Sequence, residues 1–287
     1  MAIDWGFTIR KIVVYGTLLV LYAIAMAVLF AFTSNVLLVV LLSGGFLFIQ
    51  YFFSDKLVLW STGARVVSEN EAPKLHMLVE SLAMRMGLPK PKIAIVQNDM
   101  PNAFATGRNY RNSVVAVTTG IMNRLNEQEL QAVLAHEMTH VKNRDMFVVV
   151  FASFVVSVLS WVIYFLIASL IRSDRDNWGA SMAAWFISII FSNTIGLLIV
   201  NTVSRYREYG ADRGSALVTH NPDWMISALK KISGSRSSGN SARALESARA
   251  LCISPTSAGI LELFSTHPSL DHRIARLEQI KSELRGY

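Results

Sequence analysis

Four uncharged apolar stretches set the pattern of the chain. Ile12 to Phe32 is long enough, at about 1.5 Å per residue, to cross a hydrocarbon core of roughly 30 Å as a helix. Val36 to Phe53 is shorter, with Gly44 and Gly45 in its middle, and only Thr33, Ser34 and Asn35 separate the two, which predicts a tight helical hairpin. A cleaved signal peptide is the alternative for the first stretch; its length, and the lack of a small-residue cleavage site before the second, count against that. Met146 to Ile171 and Ala180 to Val203 predict a second hairpin, joined by a polar loop containing Arg172, Asp174, Arg175 and Asp176. No Asp, Glu, Lys, Arg or His falls inside any of the four stretches, and every proline lies outside them. Transport pathways place ionisable residues or broken helices within the membrane, so this pattern disfavours a transporter.

Between and after the hairpins the pattern becomes that of a folded polar domain. Glu71 to Gly87 has helical spacing, with Leu75, Leu78, Val79 and Leu82 on one face and Gly87 as the stop. Lys92 to Gln97 and Ser113 to Thr118 read as strands, with Asn102 to Gly107 (NAFATG) between them. Asn126 can cap a helix running to Asp145, with Glu129 at the capping-box position and Leu130, Val133, Leu134 and Met138 as its buried stripe. Arg205 to His220 is helical by pattern, and Ser233 to Asn240 (SGSRSSGN) has the composition of a flexible loop. Pro268 to Leu284 predicts an amphipathic helix carrying Leu270, Ile274, Leu277, Ile280 and Leu284. The organisation expected is therefore a transmembrane hairpin in 1–53, a polar part in 54–145, a second hairpin in 146–203 and a second polar part in 204–287.

Composition agrees with membrane-embedded sequence. Of the 287 residues 52% are hydrophobic and 16% charged, against about 25% charged in ordinary soluble domains. The lone Cys252 excludes an internal disulfide framework, fits a reducing compartment and reads as a small buried apolar residue. A net charge of +7 is not accompanied by a basic block or a base-stacking motif, so no nucleic-acid partner is expected. The cations instead flank the apolar stretches. Arg10, Lys11, Lys56, Arg65, Lys142, Arg144, Arg205 and Arg207 lie at the four ends that would then face the cytoplasm, although the two arginines after the third stretch run against this orientation.

The chemistry concentrates in Leu134 to Asp145 (LAHEMTHVKNRD). On a helix His136 and His140 share one face and can grip one metal ion, with Glu137 placed to act on a water molecule. A chain of this size carries HExxH by chance about once in a hundred, so a third ligand has to be found. Spans three and four form a hairpin, so their outer ends emerge on one side. His140 precedes the third span by about 9 Å of helix and Glu208 follows the fourth by about 8 Å, which brings them to similar heights if both helices continue out of the bilayer. Asp212, one turn beyond Glu208, can accept the spare imidazole N–H of a ligand histidine. The alternative is that Glu208 and Asp212 belong to a solvated charged helix with Arg205, Arg207 and Arg213.

HEMTH with NRD after it, the downstream RYREYGAD, the PNAFATG segment and FSTHPSLDHRI together resemble the HtpX family of membrane zinc metallopeptidases, relatives of the CAAX prenyl proteases. The resemblance covers nearly the whole chain. It implies a mainly α membrane protein in which four transmembrane helices accompany a gluzincin-like α+β metallopeptidase domain with a small β-sheet. It also implies one Zn2+ per chain on His136, His140 and Glu208, with Glu137 as catalytic base. His267, with Arg273 six residues on, matches the family's HP-containing segment and is the candidate oxyanion donor; a plain helix-start role before Pro268 is the alternative. Asn102, Ala103 and Phe104 would form a substrate-binding edge strand, or else an ordinary loop.

Two function classes follow. One is a multi-pass endopeptidase of the inner or plasma membrane, its site facing the cytoplasm, that cuts exposed segments of misfolded or damaged membrane proteins and also itself. The other is a membrane-anchored scaffold that keeps the metal without turnover. The sequence does not give an oligomeric state.

Overall fold

A computed structural model of the chain describes residues 41, 44, 45, 52, 56, 58–170, 178–233 and 268–285. The first apolar stretch, nearly all of the second, the loop of 171–177, residues 234–240 of the Ser/Gly-rich loop, Cys252 and His267 lie outside these residues. The described chain falls into two units, one holding Val148–Val203 and the other Tyr51–Phe147 with Ser204–Tyr287.

The second unit is built on a four-stranded sheet. Its strands are β1 (Arg65–Val66), β2 (Lys92–Val96), β3 (Ala103–Asn109) and β4 (Asn112–Thr118), in the order β1-β2-β4-β3. β2 pairs parallel with β4, while β1 and β3 run antiparallel to their neighbours. Sequence pattern reveals β2 and β4 because both are continuous apolar runs buried on two faces. β3, expected at its start from the family resemblance alone with an ordinary loop as the alternative, is an edge strand running from Ala103 to Asn109. Its small residues Ala103, Ala105 and Gly107 gave no strand signal, and a bulge after Gly107 interrupts its pairing.

One sheet face packs under α1 (Pro73–Met86) and α3 (Glu127–Asn143), with α2 (Thr119–Arg124) joining β4 to α3. The predicted stripes are the buried ones: Leu75, Val79 and Leu82 on α1, and Val133, Leu134 and Met138 on α3. Gly87 ends α1 in the left-handed region at φ 65°. The capping box that opens α3 is formed in full. Asn126 Oδ1 accepts from the Glu129 N–H at 2.9 Å, and Glu129 Oε2 accepts from the Asn126 N–H at 2.9 Å. Glu129 also takes hydrogen bonds from Ser227 and Lys231 of α7 (Pro222–Ser233). α8 (Leu270–Arg285) closes the same core with Leu277 and Ile280.

The apolar unit holds α4 (Asp145–Leu170), α5 (Trp178–Phe191), a π-helical turn (Ser192–Gly196) and the start of α6 (Leu197–Thr219). Among the described residues two helical segments, Asp145–Ile167 and Met182–Thr219, are long and apolar enough to cross a membrane. They touch through small and β-branched residues. Gly196 sits where a Cβ would strike Val156, Ser160 and Ser192 share a hydroxyl hydrogen bond, and Val148, Ala152, Val155 and Val203 form a buried cluster. Trp161, Trp185, Phe186 and Ile190 are exposed, as lipid-facing side chains would be.

One expectation is corrected. The metal-motif helix does not run on into the third span. It stops at Asn143, Arg144 takes φ 57° and ψ 38°, and α4 starts afresh at Asp145. The left-handed residue turns the chain, which is what lets the Asp145 carboxylate face back to His140. Only α6, on the other side, continues unbroken from Val203 through Glu208 and Asp212.

Candidate metal centre

Three side chains from two helices meet at one point. α3 carries His136 and His140 one turn apart, and α6 carries Glu208. The helices come close because Gly214 of α6 lies directly on Thr139 of α3, with no room for a Cβ, and because the Ser215 hydroxyl donates to the Ala132 carbonyl at 2.7 Å. The donor atoms of His136, His140 and Glu208 all lie within 4.8 Å of one another. The two Nε2 atoms are 3.2 Å apart, and each is 3.4 Å from a Glu208 oxygen.

The opposite ring nitrogens fix the protonation. His136 Nδ1 is 3.0 Å from Asp212 Oδ1, and His140 Nδ1 is 2.6 Å from Asp145 Oδ2. An ionised carboxylate only accepts, so the His140 Nδ1 carries its proton toward Asp145. Asp212 favours a proton on the His136 Nδ1 by its charge, without a well-formed hydrogen bond; a neutral ring then presents the Nε2 lone pair to the centre. Two lone pairs and a carboxylate thus converge with no donor among them. Either additional protons or a cation must hold such a set, and two imidazoles with one carboxylate is a metal-ligand set with positions to spare. The residues fit a divalent ion.

The electrostatics of the two imidazoles point the same way. Burial opposes a charge on His140, but Glu208 and Asp145 outweigh it and push its pKa up to about 10. His136 is likewise raised, by Asp212 and Glu208 against its own burial. Burial would raise Asp212, but the Arg273 guanidinium and the His136 ring bring it below the usual carboxylate range. Glu208, Asp145 and Asp212 therefore make the surroundings of the two imidazoles favour positive charge.

Glu137 points into the same cleft and accepts a hydrogen bond at Oε2 from the Ala105 N–H of β3, at 3.0 Å. The cleft is lined by Phe104 to Asn109 of the edge strand, by His136, Glu137, His140, Val141, Arg144 and Asp145, by Met146 and Phe147, and by Arg207 and Glu208. Of the expected substrate strand, Phe104 lines it. Asn102 and Ala103 do not; they are buried, with the Asn102 backbone tied to Thr118. The wall runs further along β3 than the PNAFATG segment suggested.

Arg273, named with His267 in the HP-containing segment, lies against Asp212. It is fully buried, grips Asp212 through Nε at 2.9 Å and Nη2 at 2.6 Å, and stands 3.8 Å from Glu208. A guanidinium committed to a buried carboxylate fork holds that carboxylate in place. Asp145 and Arg207 went unassigned in the sequence. Asp145 orients His140, and Arg207 Nε lies 3.5 Å from the same Asp145 oxygen. The signal available for Asp145 was the NRD that follows the motif, which fixes no geometry until Arg144 is known to turn the chain.

Comparisons with known proteins give the family and the fold. Residues 69–281 match the family described as Peptidase family M48. The protein called "Protease HtpX homolog 2" of Methanosarcina mazei is 43% identical over 287 residues, covering 98% of this chain and 97% of its own. The "Protease HtpX homolog" of Moorella thermoacetica is 45% identical over 300 residues, covering 98% and 96%. Among solved structures, the crystal structure of S. mikatae Ste24p superposes with a TM-score of 0.61 at 17% identity, over 96% of this chain and 65% of that one.

Proposed function

The chain belongs to peptidase family M48, and from that premise we propose that it is an integral-membrane zinc endopeptidase. The observation that carries this reading is the convergence of His136 Nε2, His140 Nε2 and the Glu208 carboxylate beside Glu137, in a cleft walled by an open sheet edge. The three ligands are His136, His140 and Glu208, one zinc per chain. Bound there, zinc would supply a Lewis acid that acidifies water and polarises a peptide carbonyl.

The chain's own groups divide the remaining work. Glu137 takes the proton from the attacking water and delivers it to the leaving amine. The Ala105 N–H keeps its carboxylate aimed into the cleft. Asp212 and Asp145 hold the Nδ1 protons, so both Nε2 lone pairs stay directed at the centre. Arg273 fixes Asp212 and offsets part of the negative charge on Glu208. The β3 edge, from Phe104 onward, offers main-chain groups to an extended substrate, a mode with little sequence selectivity. His267 is the proposed donor to the oxyanion, on the family resemblance of its HP segment.

The membrane reading rests on four uncharged stretches, two of them helical among the described residues. With Lys and Arg flanking their ends, the multi-pass chain would sit in the inner or plasma membrane with the metal centre on the cytoplasmic side. Its partners would then be the lipid bilayer and exposed cytoplasmic segments of misfolded membrane proteins, with self-cleavage as a consequence of the same reactivity. The test is to strip zinc from the detergent-solubilised protein with a chelator and follow cleavage of an unfolded reporter. Cleavage should stop and return on adding zinc; cleavage indifferent to the chelator would overturn the reading.

A further inference from the structure

We propose that Arg144 makes the cleft selective for peptides carrying acidic side chains close to the scissile bond. The inference rests on the peptidase reading for its site and adds to it a substrate class. Arg144 ends α3 in the left-handed region at φ 57°, where glycine or asparagine is the ordinary occupant. A positive φ at a helix end says little alone, since His220 shares it at φ 56°. What sets Arg144 apart is the place its side chain occupies.

Arg144 is exposed and lines the cleft. Its guanidinium stands 5.5 Å over the Tyr110 ring, in the turn between β3 and β4, with Arg111 at 5.8 Å from the same ring. Among the described residues it has no carboxylate partner. A second cation of the wall, Arg108 of β3, lies over the Phe52 ring at 5.1 Å. The acidic residues of the cleft are all buried and turned inward: Asp145 to His140, Glu208 to both histidines, and Glu137 to Ala105. The negative charge of the lining is therefore buried around the histidines, and the charge that Arg144 exposes to an incoming peptide is positive.

A half-exposed ion pair is weak, and a like-charge contact costs a similar amount. The two together separate a Glu-bearing from a Lys-bearing peptide by roughly fivefold to tenfold, and salt screens the difference. Arg144→Gly is a discriminating variant because glycine is favoured at this φ, so the helix end and the fold should persist while the cation is lost.

The experiment uses the full zinc-loaded chain in detergent and two quenched-fluorescence peptides with one apolar core, flanked by either Glu or Lys. The native chain should show a kcat/KM roughly fivefold to tenfold higher for the Glu peptide. Arg144→Gly should bring the two within about twofold, and Arg144→Glu should reverse the order, with zinc content unchanged in both and each variant still folded. Both peptides are also titrated against Glu137→Gln, so that absent turnover would count against the peptidase reading while binding still decides the role of Arg144. Equal handling of the two peptides by the native chain, or a preference that survives in Arg144→Gly, would overturn the proposal.

Discussion

The Nδ1 of His140 lies 2.6 Å from the Oδ2 of Asp145, the first residue of the helix that follows the metal motif. The pair mirrors His136 and Asp212 on the far side of the centre. Each histidine of the centre thus faces its own buried aspartate, one from the start of α4 and one from α6. Replacing Asp145 by Asn keeps the shape but removes the charge that steadies the Nδ1 proton. Zinc affinity should fall by about tenfold to a hundredfold. Competition with a metal indicator measures this, and unchanged affinity would return Asp145 to a purely local role.

The metal-free site should compete for zinc through its protons. In the folded chain Glu208 and Asp145, acting against burial, push the His140 pKa up to about 10, well above its unfolded value of about 6.5. A raised histidine contributes stability that is fully present below the unfolded value and is lost as pH rises through the folded one. Zinc needs the unprotonated Nε2, so binding has to displace at least one proton throughout this window. Apparent zinc affinity should therefore rise about tenfold per pH unit between roughly pH 7 and 9. Calorimetry in two buffers of different ionisation enthalpy should register the released proton; a pH-independent affinity would contradict the protonated metal-free state.

Gly214 should be intolerant of a methyl group. A Cβ there would overlap both Cγ2 and Oγ1 of Thr139, which sits between the two ligand histidines in sequence. Gly214→Ala should cost about 1–3 kcal/mol by forcing α3 and α6 apart, despite alanine's better helix propensity. It should also weaken zinc binding, because the same approach brings Glu208 to the imidazoles. Thermal unfolding with and without zinc separates the two effects.

Much of this was legible in the sequence, for identifiable reasons. Asn126 and Glu129 mark a helix start through a local hydrogen-bond pattern, and the capping box is formed as expected. His136 and His140 share a face because helical spacing alone requires it. Glu208 could be paired with them because hairpin topology limits where its backbone can emerge. Other features depend on contacts that spacing does not encode. The edge strand β3 is composed of small residues and is held by its pairing with β4, not by its own pattern. Arg144 adopts a backbone conformation that its residue type disfavours, so the break before Asp145 could not be read from it. Arg273 entered the reading only beside His267, through the resemblance of the HP-containing segment, and nothing in its spacing encodes the fork it makes with Asp212.

The most direct test of a zinc peptidase centred on His136, His140 and Glu208 is a paired measurement on the native chain and Glu137→Gln: zinc content by elemental analysis, and the rate of cutting an unfolded protein. Removing a general base should lower the rate by about a hundredfold to ten-thousandfold, and Gln, which is no metal ligand here, should leave one zinc per chain in place. Equal cutting by the two proteins, each with its zinc, would contradict the account.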